Sequence, residues 1–357
     1  MRPVVETKSG PVEGLIEEFN GIKGYSFRGI PYAADTSGNN RWRAPQDIEP
    51  WIENFDASSF GPQCPQFRRG EGGFRDSIAN AYEIELPEEE PPQESEDCLR
   101  LNIYSGDLDP KEKLPVMFWI HGGALRFGSG DNYLPDGILS KGKILVTINY
   151  RLGELGFFAH PSINNSEEEF KTNFGLLDQI KALHWVTENI EKFGGDPSNV
   201  TVMGQSAGAI SAYALLANKK ARHFIKNVIF QSGRFNSFET TDIASRKAER
   251  LAEIAGVTVK ELKQISLEEL LDAQSTLAKK EAIFASTNIP LLPVVDGDII
   301  SDRIHDDVFD GAKGKSIILG STHDEMHAFI SGNPEIENAS QKQIKDVFKR
   351  ELGDNWE

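Results

Sequence analysis

Short, continuous apolar runs alternate along this chain with longer stretches of helical spacing. Val116–Ile120, Ile144–Asn149, Val228–Gln231 and Ser316–Leu319 are apolar throughout or nearly so, which predicts core strands covered on both faces. Leu176, Ile180, Leu183, Ile190 and Phe193 recur at helical spacing and predict a helix over 176–193, stopped by Gly194-Gly195-Asp196-Pro197. Val4–Glu17 and Gly21–Ile30 carry short alternating runs, expected as antiparallel strands at a sheet edge, and Leu99–Tyr104 reads as a further strand. Thr240–Lys280 has helix patterning, and Ser340–Leu352 reads as an amphipathic helix that should cover something. Strands alternating with helices imply an α/β fold: a mostly parallel central sheet with helices on both faces, forming a single domain over 1–357. Ligands bind such sheets at the carboxyl ends of the strands.

The chemistry is expected at three of those strand ends. Asn199–Met203 is β-prone, Ala207–Lys219 is helix-prone, and Gly204-Gln205-Ser206-Ala207-Gly208 joins them. A Gly-x-Ser-x-Gly turn between strand and helix holds a serine on a tight, exposed elbow, so Ser206 is the expected nucleophile. Acyl transfer also needs preorganised N–H donors for the tetrahedral oxyanion. His121-Gly122-Gly123-Ala124 after the Val116–Ile120 strand can supply them, with Gly123, Ala124 and Ala207 as the donors. Ser321-Thr322-His323-Asp324-Glu325 follows the Ser316–Leu319 strand. On chemistry alone either Asp324 or Glu325 could orient an imidazole.

Taken together these segments resemble the type-B carboxylesterase/lipase family, which includes the cholinesterases. The residues that carry the resemblance are Phe27-Arg28-Gly29-Ile30-Pro31-Tyr32-Ala33, Ser95-Glu96-Asp97-Cys98-Leu99, the His121 loop and Asn149-Tyr150-Arg151-Leu152-Gly153. Gly194-Gly195-Asp196-Pro197, Gly204–Gly208, Gln231-Ser232-Gly233 and Asp324-Glu325 continue it in the family's order, over essentially the whole chain. The resemblance implies an α/β-hydrolase fold, a serine carboxylesterase activity on aliphatic or aryl esters, and no metal or organic cofactor. It places the acid on Glu325. It implies a loop-closing disulfide between Cys64 and Cys98 in secreted members, the pair staying as thiols in a reducing cytosol, and a cap over the pocket at 240–280. It also implies ion pairs between Arg151 and Asp178 and between Arg41 and Glu96. Arg28, Ser232 and Asp196 are read as scaffold.

The histidine is where the chain departs from the family. In this fold the triad runs serine, acid, histidine, and His327 alone follows Glu325. Two positions away, it cannot donate to Glu325 while reaching Ser206 in either strand or helix geometry. His121, His160, His184, His223, His305 and His323 lack the family's flanking residues. No catalytic histidine is therefore found, and the chain is expected to be a fragment or truncation lacking the C-terminal part that carries the base. The alternative expectation is a non-catalytic, cholinesterase-like binding or adhesion module.

Composition adds limits. The net charge is −17, from 55 acidic against 38 basic residues, which disfavours nucleic acid and anionic membrane surfaces as partners. No apolar run is long enough for a membrane span, and Met1-Arg2-Pro3-Val4-Val5-Glu6 lacks a signal-peptide core. A cytoplasmic location is expected, or a secreted one if an upstream signal has been removed. A small-molecule ester is the expected partner. Residues 63–97, with an acidic, proline-bearing run, are expected as a surface loop near the pocket.

Overall fold

The computed structural model describes residues 1–66, 84–85, 92–164, 172–281, 291–325, 336 and 338–353. Most of the expected surface loop over 63–97 and His327 lie outside the described residues. Among the described residues three sheets are formed. The first joins β1 (Val4–Thr7), β2 (Gly10–Glu13) and β5 (Phe55–Asp56). The central sheet has eight strands: β3 (Leu15–Phe19), β4 (Ile22–Pro31), β6 (Arg100–Ser105), β7 (Leu114–Ile120), β8 (Ile144–Ile148), β9 (Gly195–Gln205), β10 (Asn227–Gln231) and β13 (Ser316–Gly320). Their spatial order is β3-β4-β6-β8-β7-β9-β10-β13. A short pair, β11 (Glu239–Thr240) with β12 (Val294–Val295), completes the set.

The central sheet is antiparallel from β3 to β8 and parallel from β8 to β13. The early alternating segments thus divide between the edge of this sheet and the small first sheet. Register explains why the central strands read as unbroken apolar runs. Val146, Phe118, Val202 and Val228 face one another in one fully buried row. The next row, on the opposite face, sets Trp119 beside Met203 and Met203 beside Ile229.

The longer helices are α1 (Gly153–Phe157), α2 (Phe174–Asn189), α3 (Ala207–Ala217), α4 (Thr241–Ala255), α5 (Leu267–Lys280), α6 (Ile304–Ala312) and α7 (Gln341–Leu352). The helix expected over 176–193 is α2, finishing in a tighter turn over Ile190–Phe193. α3 buries all its residues but Tyr213, as a helix apolar on every side must. Its alanines let it sit close to the sheet, and Ser211 receives a hydrogen bond from Gln179 of α2 at 3.1 Å. α4 and α5 begin on Thr240 and Ser266 side-chain caps, the latter a reciprocal box with Glu269, and pack on each other. The expected pairs form: Arg151 with Asp178 at 2.6 Å and Arg41 with Glu96 at 2.5 Å.

One strand corrects the sequence reading. Ser316–Leu319 was expected in the core, yet among the described residues β13 is the sheet's last strand, and it is exposed along its whole length. Ile317 is 43% exposed and Ile318 on the other face 61%, although they continue the rows ending at Val228 and Ile229. Ile344 and Phe348, on the apolar stripe of α7, are exposed as well.

Candidate active site

Parallel strands align their carboxyl ends, and the three rightmost strands here end on the residues expected to do chemistry. β9 runs into Ser206, whose N–H donates to the Gln231 carbonyl at the end of β10 (2.8 Å). β10 runs into Ser232, whose N–H donates to the Gly320 carbonyl at the end of β13 (2.8 Å). β13 leads into the turn that carries Glu325. Ser206 and Glu325 therefore belong to strand ends two spacings apart. At about 4.8 Å per spacing those two strands lie roughly 10 Å apart.

Ser206 has φ 56° and ψ −121°, a strained conformation for a residue with a side chain. The elbow closes because its glycines have no Cβ. A Cβ on Gly204 would lie 2.4 Å from the Gly208 carbonyl, and one on Gly208 would lie 2.0 Å from the Ile120 carbonyl oxygen. The helix start thus sits directly against the end of β7, where the His121 loop begins.

That loop reaches the serine. A Cβ on Gly122 would fall 3.2 Å from Ser206 Cβ. Gly123 has φ 113°, and a Cβ there would strike the Phe127 carbonyl oxygen at 1.9 Å, so this tight turn requires glycine. The carbonyl of Gly123 accepts from Arg126 and Phe127 N–H, which leaves its own N–H outside the turn's bonding. Among the described residues, the N–H groups of Gly123, Ala124 and Ala207 donate to no backbone carbonyl. Ala207 opens α3, where the first amides have no partner within the helix.

His121 stiffens the loop rather than titrating in it. Its ring stacks on Tyr150 at 4.5 Å, and Nδ1 bonds the Gly122 carbonyl at 2.8 Å. A carbonyl only accepts, so Nδ1 carries the proton. Burial pushes the imidazole pKa down to about 4. Tyr150 in turn donates to the His121 carbonyl at 2.9 Å.

The two candidate acids separate. Glu325 accepts from Thr322 N–H at 2.7 Å. The Ser232 hydroxyl and the Thr322 amide hold its pKa below the ordinary value. Asp324 is exposed and 2.9 Å from the solvent-facing His323. Ser232, read from sequence as scaffold, therefore acts on the acid. The visible signal was its place in Gln231-Ser232-Gly233, directly after a strand parallel to the elbow strand; its φ of 55° copies that of Ser206.

No described histidine joins Ser206 to Glu325. His160 bonds Ser162, His184 neighbours Glu188, His223 lies on Phe224, and His305 meets the Tyr213 hydroxyl at 2.7 Å. Cys64 and Cys98 are both buried as free thiols, so the disulfide expected from the resemblance is not formed in this structure. Cys64 Sγ instead accepts from Leu152 N–H at 3.2 Å, just before α1. Among the described residues no group of acidic, histidine or cysteine side chains is arranged to hold a metal, and no helix is long and apolar enough to cross a membrane.

A serine elbow, a glycine loop of free amides against it and a carboxylate two strands away, all on the parallel half of the sheet, define an α/β hydrolase. The comparisons with known proteins name the family. A model described as the carboxylesterase family matches residues 1–356, and the chain belongs to that family. It is 37% identical to a para-nitrobenzyl esterase of Bacillus subtilis over 98% of its own length and 68% of that protein's. It is 33% identical to a phenmedipham hydrolase of Pseudarthrobacter oxydans, over 99% of itself and 68% of the relative. Among solved structures, a thermophilic para-nitrobenzyl esterase superposes with a TM-score of 0.82 at 35% identity, covering 99% of this chain and 69% of that one. The carboxylesterase EST55 of Geobacillus stearothermophilus gives 0.83 at 33%, covering 99% and 68%.

Proposed function

We propose that this chain carries the nucleophile, oxyanion hole and acid of a carboxylic ester hydrolase, and that polypeptide outside these 357 residues supplies its base. The alignment of Ser206, Ser232 and Glu325 on successive strand ends is the observation that carries this reading. Ser206 Oγ attacks the ester carbonyl as its proton passes to an imidazole. The N–H groups of Gly123, Ala124 and Ala207 receive the developing oxyanion. Collapse expels the alcohol, which takes the proton from the imidazolium and leaves the acyl group on Ser206. Water then releases the acid by the same route in reverse, with Glu325 orienting the imidazole and stabilising its charge.

Three observations support an external base. The six described histidines are engaged elsewhere. The open face of β13 and the exposed stripe of α7 offer apolar surface for further chain to cover. The relatives extend beyond the matched region, which is 68% of their length. These relatives are an esterase and a hydrolase, which favours an enzyme over an adhesion module. Small aryl and aliphatic carboxylic esters are the proposed substrates, and α4 and α5 the proposed cap.

A chimera tests the proposal: this chain joined to the part of the Bacillus subtilis para-nitrobenzyl esterase that it does not match. The fusion should hydrolyse a p-nitrobenzyl ester, and Ser206→Ala or Glu325→Gln in it should remove most of that rate. A folded fusion whose rate ignores Ser206 would refute the assignment.

A further inference from the structure

A buried acid cluster lies behind the oxyanion loop. Glu154, second residue of α1, is 2% exposed, and its Oε1 has no hydrogen-bond partner among the described residues. Its backbone is fixed on two sides. The N–H donates to Gln274 Oε1 of α5 at 2.7 Å, and the carbonyl accepts from the Trp42 indole at 2.7 Å. The preceding N–H, of Gly153, donates to the Leu125 carbonyl at 2.7 Å. Leu125 and its neighbour Ala124 are both left-handed, with φ 61° and 56°. A single helical turn therefore connects α5 to the loop that presents the Gly123 and Ala124 amides.

Charged groups from several elements face the Glu154 carboxyl: Glu239 of β11, Lys247 of α4, Glu281 just past α5 and Arg126 of the oxyanion loop itself. Asp178, on the α2 helix that also packs against α1, is engaged by Arg151. Burial opposes ionisation most, Glu239 and Glu281 add to it, and Lys247 and Arg126 work against it. The balance moves the pKa of Glu154 up to about 8.

We propose that Glu154 is a positioning residue for the oxyanion hole: protonated, it lets the first turn of α1 hold Leu125 and Gln274 together, and ionised, it displaces the loop amides. The physical reason is that a buried carboxylate without a matched partner is relieved by moving the turn that carries it. This inference rests on the Ser206 site being the reactive one, yet its test needs no turnover.

The chain labelled with 15N at glycine, alanine and tryptophan is titrated from neutral to alkaline pH by NMR. The Trp42 indole and the Gly123 and Ala124 amides should shift together with one midpoint on the alkaline side of neutrality. In Glu154→Gln all three should stay flat. Glu154→Met, similar in length and without a titrating group, serves if the glutamine variant does not fold. Movement of Trp42 without the two loop amides would overturn the proposal, since the acid would titrate without reaching the hole. Absence of any shift would overturn it as well. Failure of the Ser206 assignment would appear only in ester hydrolysis, so the two failures are separable.

Discussion

Removing Asp178 should be the most damaging single change away from the reacting groups. Arg151 is 2% exposed and Asp178 fully buried. The carboxylate receives Arg151 Nε at 2.8 Å, Nη2 at 2.6 Å and the backbone N–H at 3.0 Å, while Nη1 goes to the Arg43 carbonyl at 2.8 Å. Asp178→Ala keeps only that carbonyl and leaves a guanidinium buried without its counter-charge. Breaking such a pair from one side costs about 3–5 kcal/mol. An exposed pair would cost at most about 1 kcal/mol. Urea unfolding followed by tryptophan fluorescence distinguishes the two ranges. The double change Arg151→Met with Asp178→Leu adds the decisive comparison, because replacing both charges with apolar groups of similar volume is often close to neutral. The double variant should therefore be more stable than Asp178→Ala. A single-variant loss below about 1 kcal/mol, or a double variant no better than the single, would refute the view that desolvation dominates here.

Other predictions concern the site. Ser232→Ala should raise the Glu325 pKa toward the ordinary carboxylate value, and an unchanged NMR titration of that side chain would contradict its role in holding the acid. His121 is held neutral with a pKa of about 4, against about 6.5 unfolded, so the unfolded chain binds more protons between those values. Stability should consequently fall by up to about 3 kcal/mol as pH drops through that window, and His121→Gln should abolish this component of the urea midpoint's pH dependence. In the esterase chimera, Gly123→Ala should lower kcat by at least about 100-fold, the effect of losing one oxyanion donor, and near-normal kcat would show that the loop is not the hole. Iodoacetamide should spare Cys64 and Cys98 in the folded chain and label both in urea; rapid labelling when folded would contradict their burial.

The sequence was most legible where geometry leaves few residue choices. The elbow needs Gly204 and Gly208 because their missing Cβ atoms would overlap neighbouring carbonyls, and the oxyanion loop needs Gly123 for the same kind of reason. Helix α2 was legible from spacing, and Arg151 with Asp178 from the resemblance. What could not be read depended on contacts between distant segments. An apolar run such as Ile317-Ile318-Leu319 looks alike in a covered strand and in the last strand of a sheet, and only the strand order separates them. The influence of Ser232 on Glu325 arises from strand adjacency, and the burial of Glu154 from the approach of α5. Local patterning carries neither. The proximity of Cys64 and Cys98 was visible through the family likeness, whereas their thiol state was not.

The most direct test of the central claim is hydrolysis of p-nitrophenyl butyrate by the 357-residue chain and by Ser206→Ala, each with and without added imidazole. With no base at hand, the two proteins should hydrolyse the ester equally slowly. Added imidazole should then raise the rate of the Ser206 protein above that of the alanine variant. Ser206-dependent turnover without imidazole would contradict the external base, and equal rates under both conditions would contradict Ser206 as the nucleophile.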